Sequence, residues 1–404
     1  MKLSITKAVD HLIWILTAGI LTTYILFETY TWGRYVFFGE SVVIVLLSAF
    51  QHRWKLKLRI QAIHWFMLAF SGYCALSALW ALEPADALQK GETVFQILVC
   101  AAMLYIHYQH EQDVHKLLMV VMWTGYFVSI YTLFFYGMDR ILLGTRLNND
   151  FSNLNNIGIV VALSCIIQIY EWLHGRHRWS AILMVPAILT ISVAQSRTSM
   201  VGLLIGVFGV YVLKQRQGKD LFQQLAKVVW VLFGAALAVA LVYSLPVFSG
   251  VRERMNSMLA GVLGTGETDN STLIRLSMID LGLEWFRKEP IGGIGIGCTH
   301  VLSALYLGCD TYLHNNFVEL LCGGGLVGFC LYYAMYGYLL WHYFRYRNNN
   351  REMYEIGIVW LGLLLVMDYG NVSYYWKSQW FYLMIHFLNI WCLKKKSELK
   401  KNAT

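Results

Sequence analysis

The chain has little charge and almost no proline. Only 14% of its 404 residues are charged and only 4 are proline. Because soluble domains carry roughly 25% charged residues, this composition excludes a soluble enzyme and a disordered chain. The 8 cysteines include no Cys-x-x-Cys pair, so zinc-ribbon and thioredoxin-like chemistry lack support. Cys298 and Cys309 are left open as free thiols or a disulfide.

The chain is rich in long apolar runs, and hydrophobic residues make up 57% of it. Runs of about 17 to 25 apolar residues can cross a bilayer as helices. We therefore predict an all-α polytopic membrane protein with about twelve transmembrane helices. The predicted spans are residues 9–27, 35–50, 60–82, 93–109, 117–137, 155–173, 178–196, 198–213, 225–245, 316–344, 353–369 and 377–393.

The predicted spans divide the chain into four parts. Nine helices lie within residues 1–245, and residues 246–313 form a large exterior loop. Three more helices lie within 314–393, followed by a basic tail at 394–404. Most of the 32 Lys and Arg residues fall on the face that carries the N-terminus. The positive-inside rule then puts both termini in the cytoplasm, and the net charge of +8 indicates membrane topology rather than nucleic-acid binding.

The exterior loop contains one predicted amphipathic helix, Ser271–Glu289. Its apolar stripe has helical spacing and consists of Leu276, Ile279, Leu283 and Phe286. We expect this helix to lie in the membrane interface and Pro290 to end it. Four glycines follow, at 292, 293, 295 and 297. No strand precedes them and no helix opens from them in our prediction, so we reject a dinucleotide site and expect a compact turn.

Three ionisable residues share the exterior face by topology: Arg197, Arg275 and His314. Arginines bind phosphate bidentately, and histidine can accept a proton near neutral pH. Together they suit a lipid-diphosphate substrate. Taken singly, an interfacial arginine is more often a snorkelling side chain and a histidine before a helix is more often a capping or packing residue. The loop also contains Arg252, Arg254 and Arg287 as alternatives.

Several motifs resemble those of the O-antigen ligase/polymerase superfamily. His314-Asn315-Asn316 followed by Gly325 and Gly328 resembles its His-Asn signature before a G-x-x-G helix. Three further segments resemble other motifs of the superfamily: Ser196-Arg197-Thr198, the glycine run from Pro290 to Gly297, and Asn153-Leu154-Asn155-Asn156-Ile157-Gly158. In the last of these, Leu154 replaces the usual proline.

The resemblance implies a GT-C-like, metal-independent glycosyltransferase without a cofactor. Its donor is a glycan on undecaprenyl diphosphate, and its site faces the exterior of a bacterial cytoplasmic membrane. Carried over to this chain, Arg197 and Arg275 bind the diphosphate and His314 is the general base. Arg146, Asn155 and Asn315 are possible substrate contacts.

Two reactions fit this resemblance. A polymerase transfers the glycan to another lipid-linked repeat unit of O-antigen or capsule, and the context of residues 146–151 favours this reading. A ligase transfers it to lipid A core in lipopolysaccharide. A non-catalytic flippase for lipid-linked glycan is a further alternative, although it should show mid-membrane polar residues and two related halves.

Overall fold

The structure is a computed structural model. It describes residues 2–27, 30–56, 58–109, 114–136, 153–215, 249–250, 252–253, 255–257 and 270–402. The predicted span 225–245, Arg146 and Arg254 lie outside these residues.

In the described residues, the regular secondary structure is helical. Two short 3₁₀ segments, Ser77–Leu79 and Arg178–Leu183, accompany the α-helices. The α-helices are α1 (Lys2–Leu26), α2 (Thr31–Gln51), α3 (Ala62–Leu76), α4 (Pro84–Tyr108), α5 (His115–Tyr136), α6 (Leu154–Leu173), α7 (Met184–Ala194), α8 (Arg197–Gln215), α9 (Asn270–Lys288), α10 (Thr299–Leu307), α11 (Asn316–Tyr346), α12 (Arg351–Asp368) and α13 (Lys377–Asn402).

The described part of the chain contains 7 helices that are long and apolar enough to cross a membrane. They are α1, α4, α5, α6, α8, α11 and the region from α3 through the following 3₁₀ turn. Tyr35–Gln51 and Arg178–Ala194 are shorter apolar helices. The protein is therefore an all-helical, multi-pass membrane protein. The count of about twelve spans and the GT-C-like class stay predictions.

Helix α6 forms the centre of one side of the bundle. Nearly every residue along it is buried, because α5, α7 and α8 pack around it. Helix α11 has the same role for the rest, packing against α3, α9, α12 and α13. Helix α12 joins the two groups through contacts with α8 and α11. One end of α6 and one end of α12 consequently lie beside the turn that begins α8.

The amphipathic helix is confirmed as α9, but the predicted stripe is only partly its buried face. Leu276 is 49% exposed, whereas Met278 and Leu281 are buried. The reason is Gly282, where a Cβ would come within 2.5 Å of a methyl of Val318. Helix α11 therefore packs against the Met278–Gly282 side of α9, and part of the predicted stripe faces outward.

Candidate functional site

Arg197 lies at a tight turn between α7 and α8, at the boundary between the predicted spans 178–196 and 198–213. Gln195 adopts a left-handed backbone conformation, with φ of 48°, and Arg197 is the first residue of α8. The hydroxyl oxygen of Ser196 accepts hydrogen bonds from the backbone N–H of Ser199 at 3.4 Å and from its Oγ at 2.8 Å. These bonds satisfy groups that a helix start leaves open, so the direction of α8 is fixed.

The asparagine-rich motif at the start of α6 meets this turn. A Cβ on Gly158 would lie 2.5 Å from Oγ of Ser199, so α6 and α8 touch where only glycine fits. On the other side, a Cβ on Gly370 would come within 2.2 Å of Oγ1 of Thr198. The structure therefore brings together two of the motifs that suggested the superfamily, together with the segment that follows α12.

Arg275 and Arg197 are connected through Thr272. The guanidinium Nη1 of Arg197 donates a hydrogen bond to Oγ1 of Thr272, which lies one turn before Arg275 on α9. Residues three apart on a helix are neighbours, with Cβ atoms roughly 5–6 Å apart. The two predicted diphosphate-binding arginines thus reach the same end of α9 from different helices.

His314 stands just before Asn315, the N-cap of α11, and has a left-handed backbone with φ of 56°. This conformation is uncommon for a residue with a Cβ. Its ring lies 4.4 Å from that of Tyr312, measured between centroids. Among the described residues, its buried Nδ1 has no hydrogen-bond partner. One nitrogen of the imidazole is therefore left without a hydrogen bond from the described residues.

The charge of Arg275 reaches His314. Burial of the imidazole, and second the positive charge of Arg275, lower the pKa of His314 from 6.5 to about 4. The imidazole is consequently neutral at pH 7, with a proton on only one of its two ring nitrogens. The same observation shows that His314 and Arg275 are close enough to interact electrostatically, as the sequence predicts.

Glu319 holds the backbone around His314. This carboxylate is 3% exposed. Its Oε2 accepts a hydrogen bond from the backbone N–H of Leu313 at 2.9 Å, and its Oε1 accepts one from Oγ1 of Thr299 at 2.6 Å. Its own N–H donates to the carbonyl of Asn315 at 2.9 Å. The residues on both sides of His314 are therefore bound to Glu319, Leu313 to its side chain and Asn315 to its backbone N–H.

The segment that leads to His314 is also tied to α4. His300, on α10, contacts Oδ2 of Asp86 through Nε2 at 2.6 Å and Oδ1 of Asp310 through Nδ1 at 2.8 Å. Asp86 belongs to the first turn of α4, and Asp310 lies four residues before His314. This bridge limits how far the segment before His314 can move.

The glycine-rich loop packs against a break in α11. Gly325 has φ of 59° and ψ of −164° inside the helix, and a Cβ there would lie 2.2 Å from the carbonyl oxygen of Ile291. The backbone N–H of Leu326 donates to the carbonyl of Pro290 at 2.8 Å, and that of Ile294 donates to the carbonyl of Cys322 at 3.0 Å. The glycines therefore allow the backbone of the loop to pack directly against the backbone of α11.

One part of the glycine prediction is wrong. A helix does open after the run, since α10 begins at Thr299. A dinucleotide site is still not indicated, because no strand precedes the glycines among the described residues. Cys298, at the end of the run, is buried and Cys309 is partly buried, and both are free thiols.

The predicted substrate contact Asn315 is used locally. Its Oδ1 accepts a hydrogen bond from the backbone N–H of Val318 at 3.1 Å, so it caps α11, and it is 3% exposed. Asn155 is partly buried near the start of α6, where Asn153 is the cap. Their contact with substrate stays a prediction.

A buried polar network behind His314 was not predicted. Asn316 accepts hydrogen bonds from the backbone N–H groups of Ser373 at 2.9 Å and Tyr374 at 3.1 Å. The Oδ1 of Asp368 accepts from Oγ of Ser373 at 2.5 Å, and its Oδ2 from the hydroxyl of Tyr333 at 3.1 Å. Single acidic residues in apolar runs, such as Glu319 and Asp368, are the signal that could have identified it.

Residues 182–333 match the family model described as O-antigen ligase. This match supports a relationship to the O-antigen ligase/polymerase superfamily for that part of the chain. The match contains the Arg197 turn, α9, the glycine-rich loop and the broken helix α11. No curated protein matches the chain. The superfamily assignment supports a multi-pass membrane protein with a glycosyltransferase-like role in the synthesis of surface polysaccharide or lipopolysaccharide.

Proposed function

We propose that this superfamily member is a metal-independent glycosyltransferase. It transfers a glycan from undecaprenyl diphosphate to an acceptor hydroxyl at the exterior face of the bacterial cytoplasmic membrane, and it acts as a repeat-unit polymerase. The observation that carries the proposal is the assembly of Arg197, Thr272, Arg275 and His314 at one end of α9. Two cations and a proton acceptor that are far apart in the sequence meet there.

The reaction is a single displacement. The acceptor oxygen attacks the anomeric carbon, the bond from that carbon to the diphosphate oxygen breaks, and the acceptor proton passes to the imidazole of His314. The diphosphate leaves with the bonding electron pair. Arg197 and Arg275 stabilise the charge that develops on it. Attack from the side opposite the leaving group inverts the anomeric configuration.

Donor binding prepares His314 for its role. In the free protein, burial and Arg275 keep its pKa at about 4, which makes the imidazole a weak base. A diphosphate bound to Arg275 brings negative charge near the ring and favours the protonated form. The pKa of His314 then rises towards the working pH, where a general base is most effective. Proton transfer is thus coupled to the presence of donor.

Reconstitution tests the proposal. The purified protein in liposomes receives a lipid-diphosphate repeat unit as the sole substrate, and a ladder of longer products is the expected result. His314→Ala should abolish the ladder while donor binding persists. His342→Ala is the matched control, because His342 lies near the far end of α11. There its Nδ1 contacts the carbonyl of Tyr338, and its ring packs on those of Tyr338 and Tyr346 in the same helix. Ladder formation by His314→Ala would refute the base assignment.

A ligase is the second candidate, since the matching family model is described as O-antigen ligase. In that case the repeat unit alone gives no ladder, and adding lipid A core gives one transfer per acceptor. A third result, movement of donor across the liposome that does not depend on His314 and no new glycosidic bond, would favour a flippase and contradict both transferase forms.

A further inference from the structure

Three metal-binding side chains converge away from His314. His115 begins α5, Glu171 lies in the last turn of α6, and His177 precedes the 3₁₀ segment Arg178–Leu183. One ligand atom from each lies within 4.8 Å of the others. Glu171 follows Asn156 by fifteen residues on α6, which separates this cluster from the Asn156 end by about 22 Å along the helix.

The ligand types and spacing suit a zinc-like ion. Zn²⁺ binds imidazole nitrogen and carboxylate oxygen at about 2.0–2.2 Å, and tetrahedral ligand atoms then lie roughly 3.4 Å apart. The Nδ1 of His115 is already 3.5 Å from Oε1 of Glu171. Since all three ligand atoms lie within 4.8 Å of one another, His177 has to move closer by at most about 1.4 Å on the same geometry.

Arg176 orients the carboxylate without blocking it. Its Nε lies 3.0 Å from Oε2 of Glu171, and its Nη2 is 3.4 Å from Oε1. Its Nη1 contacts Oε2 of Glu352 at 3.1 Å. The stronger contact leaves Oε1 as the oxygen that faces His115. Partners of this kind fix metal-binding carboxylates in place, and Glu352 offsets the positive charge of Arg176 near an added cation.

The backbone of His177 is held towards the cluster. Its φ is 45°, and its carbonyl accepts hydrogen bonds from Nε2 of Gln168 at 3.0 Å and from Oγ of Ser180 at 2.7 Å. Gln168 is itself buried on α6, one turn before Glu171. The position of His177 is therefore set from the same helix that supplies the carboxylate.

We propose that His115, Glu171 and His177 form a binding site for a zinc-type divalent cation that joins α5, α6 and the following 3₁₀ segment. The site is separate from the proposed transferase centre and does not depend on it. The topology predicted from the positive-inside rule puts it on the cytoplasmic face.

Metal binding to the full-length protein tests this proposal. The protein is purified in detergent, its affinity tag is removed, and chelator is dialysed away. Titration with Zn²⁺ by calorimetry should give one ion per chain, and Co²⁺ should give the visible absorption of a tetrahedral nitrogen and oxygen site. His115→Ala and His177→Ala should each weaken binding at least tenfold. His342→Ala is the control and should still bind one ion.

A folding readout keeps the test decisive. Zn²⁺ should raise the thermal unfolding temperature of the parent protein and not that of His115→Asn. This substitution keeps a polar side chain at the first residue of α5 and is therefore compatible with the helix start. Absence of Zn²⁺ binding in the parent protein would overturn the site. One-ion binding that survives in His115→Asn and His177→Ala together would also overturn it, because the ion would then be held elsewhere.

Discussion

Two histidines have the same uncommon backbone conformation in different surroundings. His314 has φ of 56° and His177 has φ of 45°, and each stands just before a helical segment. Such conformations cost on the order of 1–3 kcal/mol and persist where neighbours fix them. Glu319 binds the residues that flank His314, whereas Gln168 and Ser180 bind the carbonyl of His177.

The charges around the two rings are opposite. His314 lies in the field of Arg275, which disfavours its protonated form, and His177 lies with the carboxylate of Glu171. A ring beside a cation stays neutral and awaits an anionic ligand. A ring beside a carboxylate can share a cation with it. In our two proposals the same backbone conformation therefore presents a histidine for different chemistry, and the neighbouring charge is the difference between them.

The largest expected effect comes from removing the cation beside His314. Arg275→Ala should lower turnover about a hundredfold or more, because a lost charge-stabilising donor costs about 10²–10³ in rate. Arg287→Ala is the matched control, since Arg287 is exposed on the same helix. Turnover per folded protein in liposomes is the measurement. Equal losses in both variants would remove Arg275 from the site.

The geometry of the second arginine gives a related but more specific prediction. Arg197→Lys keeps the charge and should still lose most turnover if two guanidinium nitrogens bind the diphosphate at the same time. Because lysine keeps the positive charge, a loss of turnover in this variant cannot come from loss of charge. Near-parental turnover in Arg197→Lys, measured beside Arg275→Ala, would mean that Arg197 acts as a point charge only.

Glu319 should have a smaller effect that falls on kcat. Glu319→Gln replaces one carboxylate oxygen with an NH₂ group. The two ends of the side chain can then no longer both accept, one from the N–H of Leu313 and the other from Oγ1 of Thr299. We expect kcat to fall about 10- to 100-fold, since small misplacement of a reacting group is costly. KM for the donor should change little. Glu355→Gln is the control, because that carboxylate pairs with Arg351 on α12.

The sequence predicted the helices better than the contacts between them. Long apolar runs gave helices at each predicted span that the structure describes, because the cost of unpaired backbone groups in a bilayer allows little else. Topology placed Arg197, Arg275 and His314 on one predicted face, and the resemblance suggested their roles, which stay predictions. The Glu319 clamp and the packing of residues 290–297 on Gly325 were not, because both join residues that are apart in sequence and depend on one side chain or one positive φ.

The pH dependence should separate the free protein from the donor complex. The profile of kcat/KM reports the free protein, where the pKa of His314 is about 4, so this quantity should hold as pH falls until it approaches that value. The profile of kcat reports the donor complex, where the bound diphosphate raises the pKa. Its acid limb should therefore appear at higher pH. Coincident limbs would contradict the coupling between donor binding and His314.

The smallest expected effect is that of a chelator on turnover. Two guanidinium groups supply the positive charge that a divalent ion supplies in many transferases, and both oxygens of Glu319 are already hydrogen-bonded. The measurement is made in the His115→Ala, His177→Ala double variant, so that an ion at the other end of the bundle has no influence. Turnover in this variant should be unchanged by chelator. Loss of activity that a divalent ion restores would place a metal at the His314 centre and refute the arginine-based mechanism.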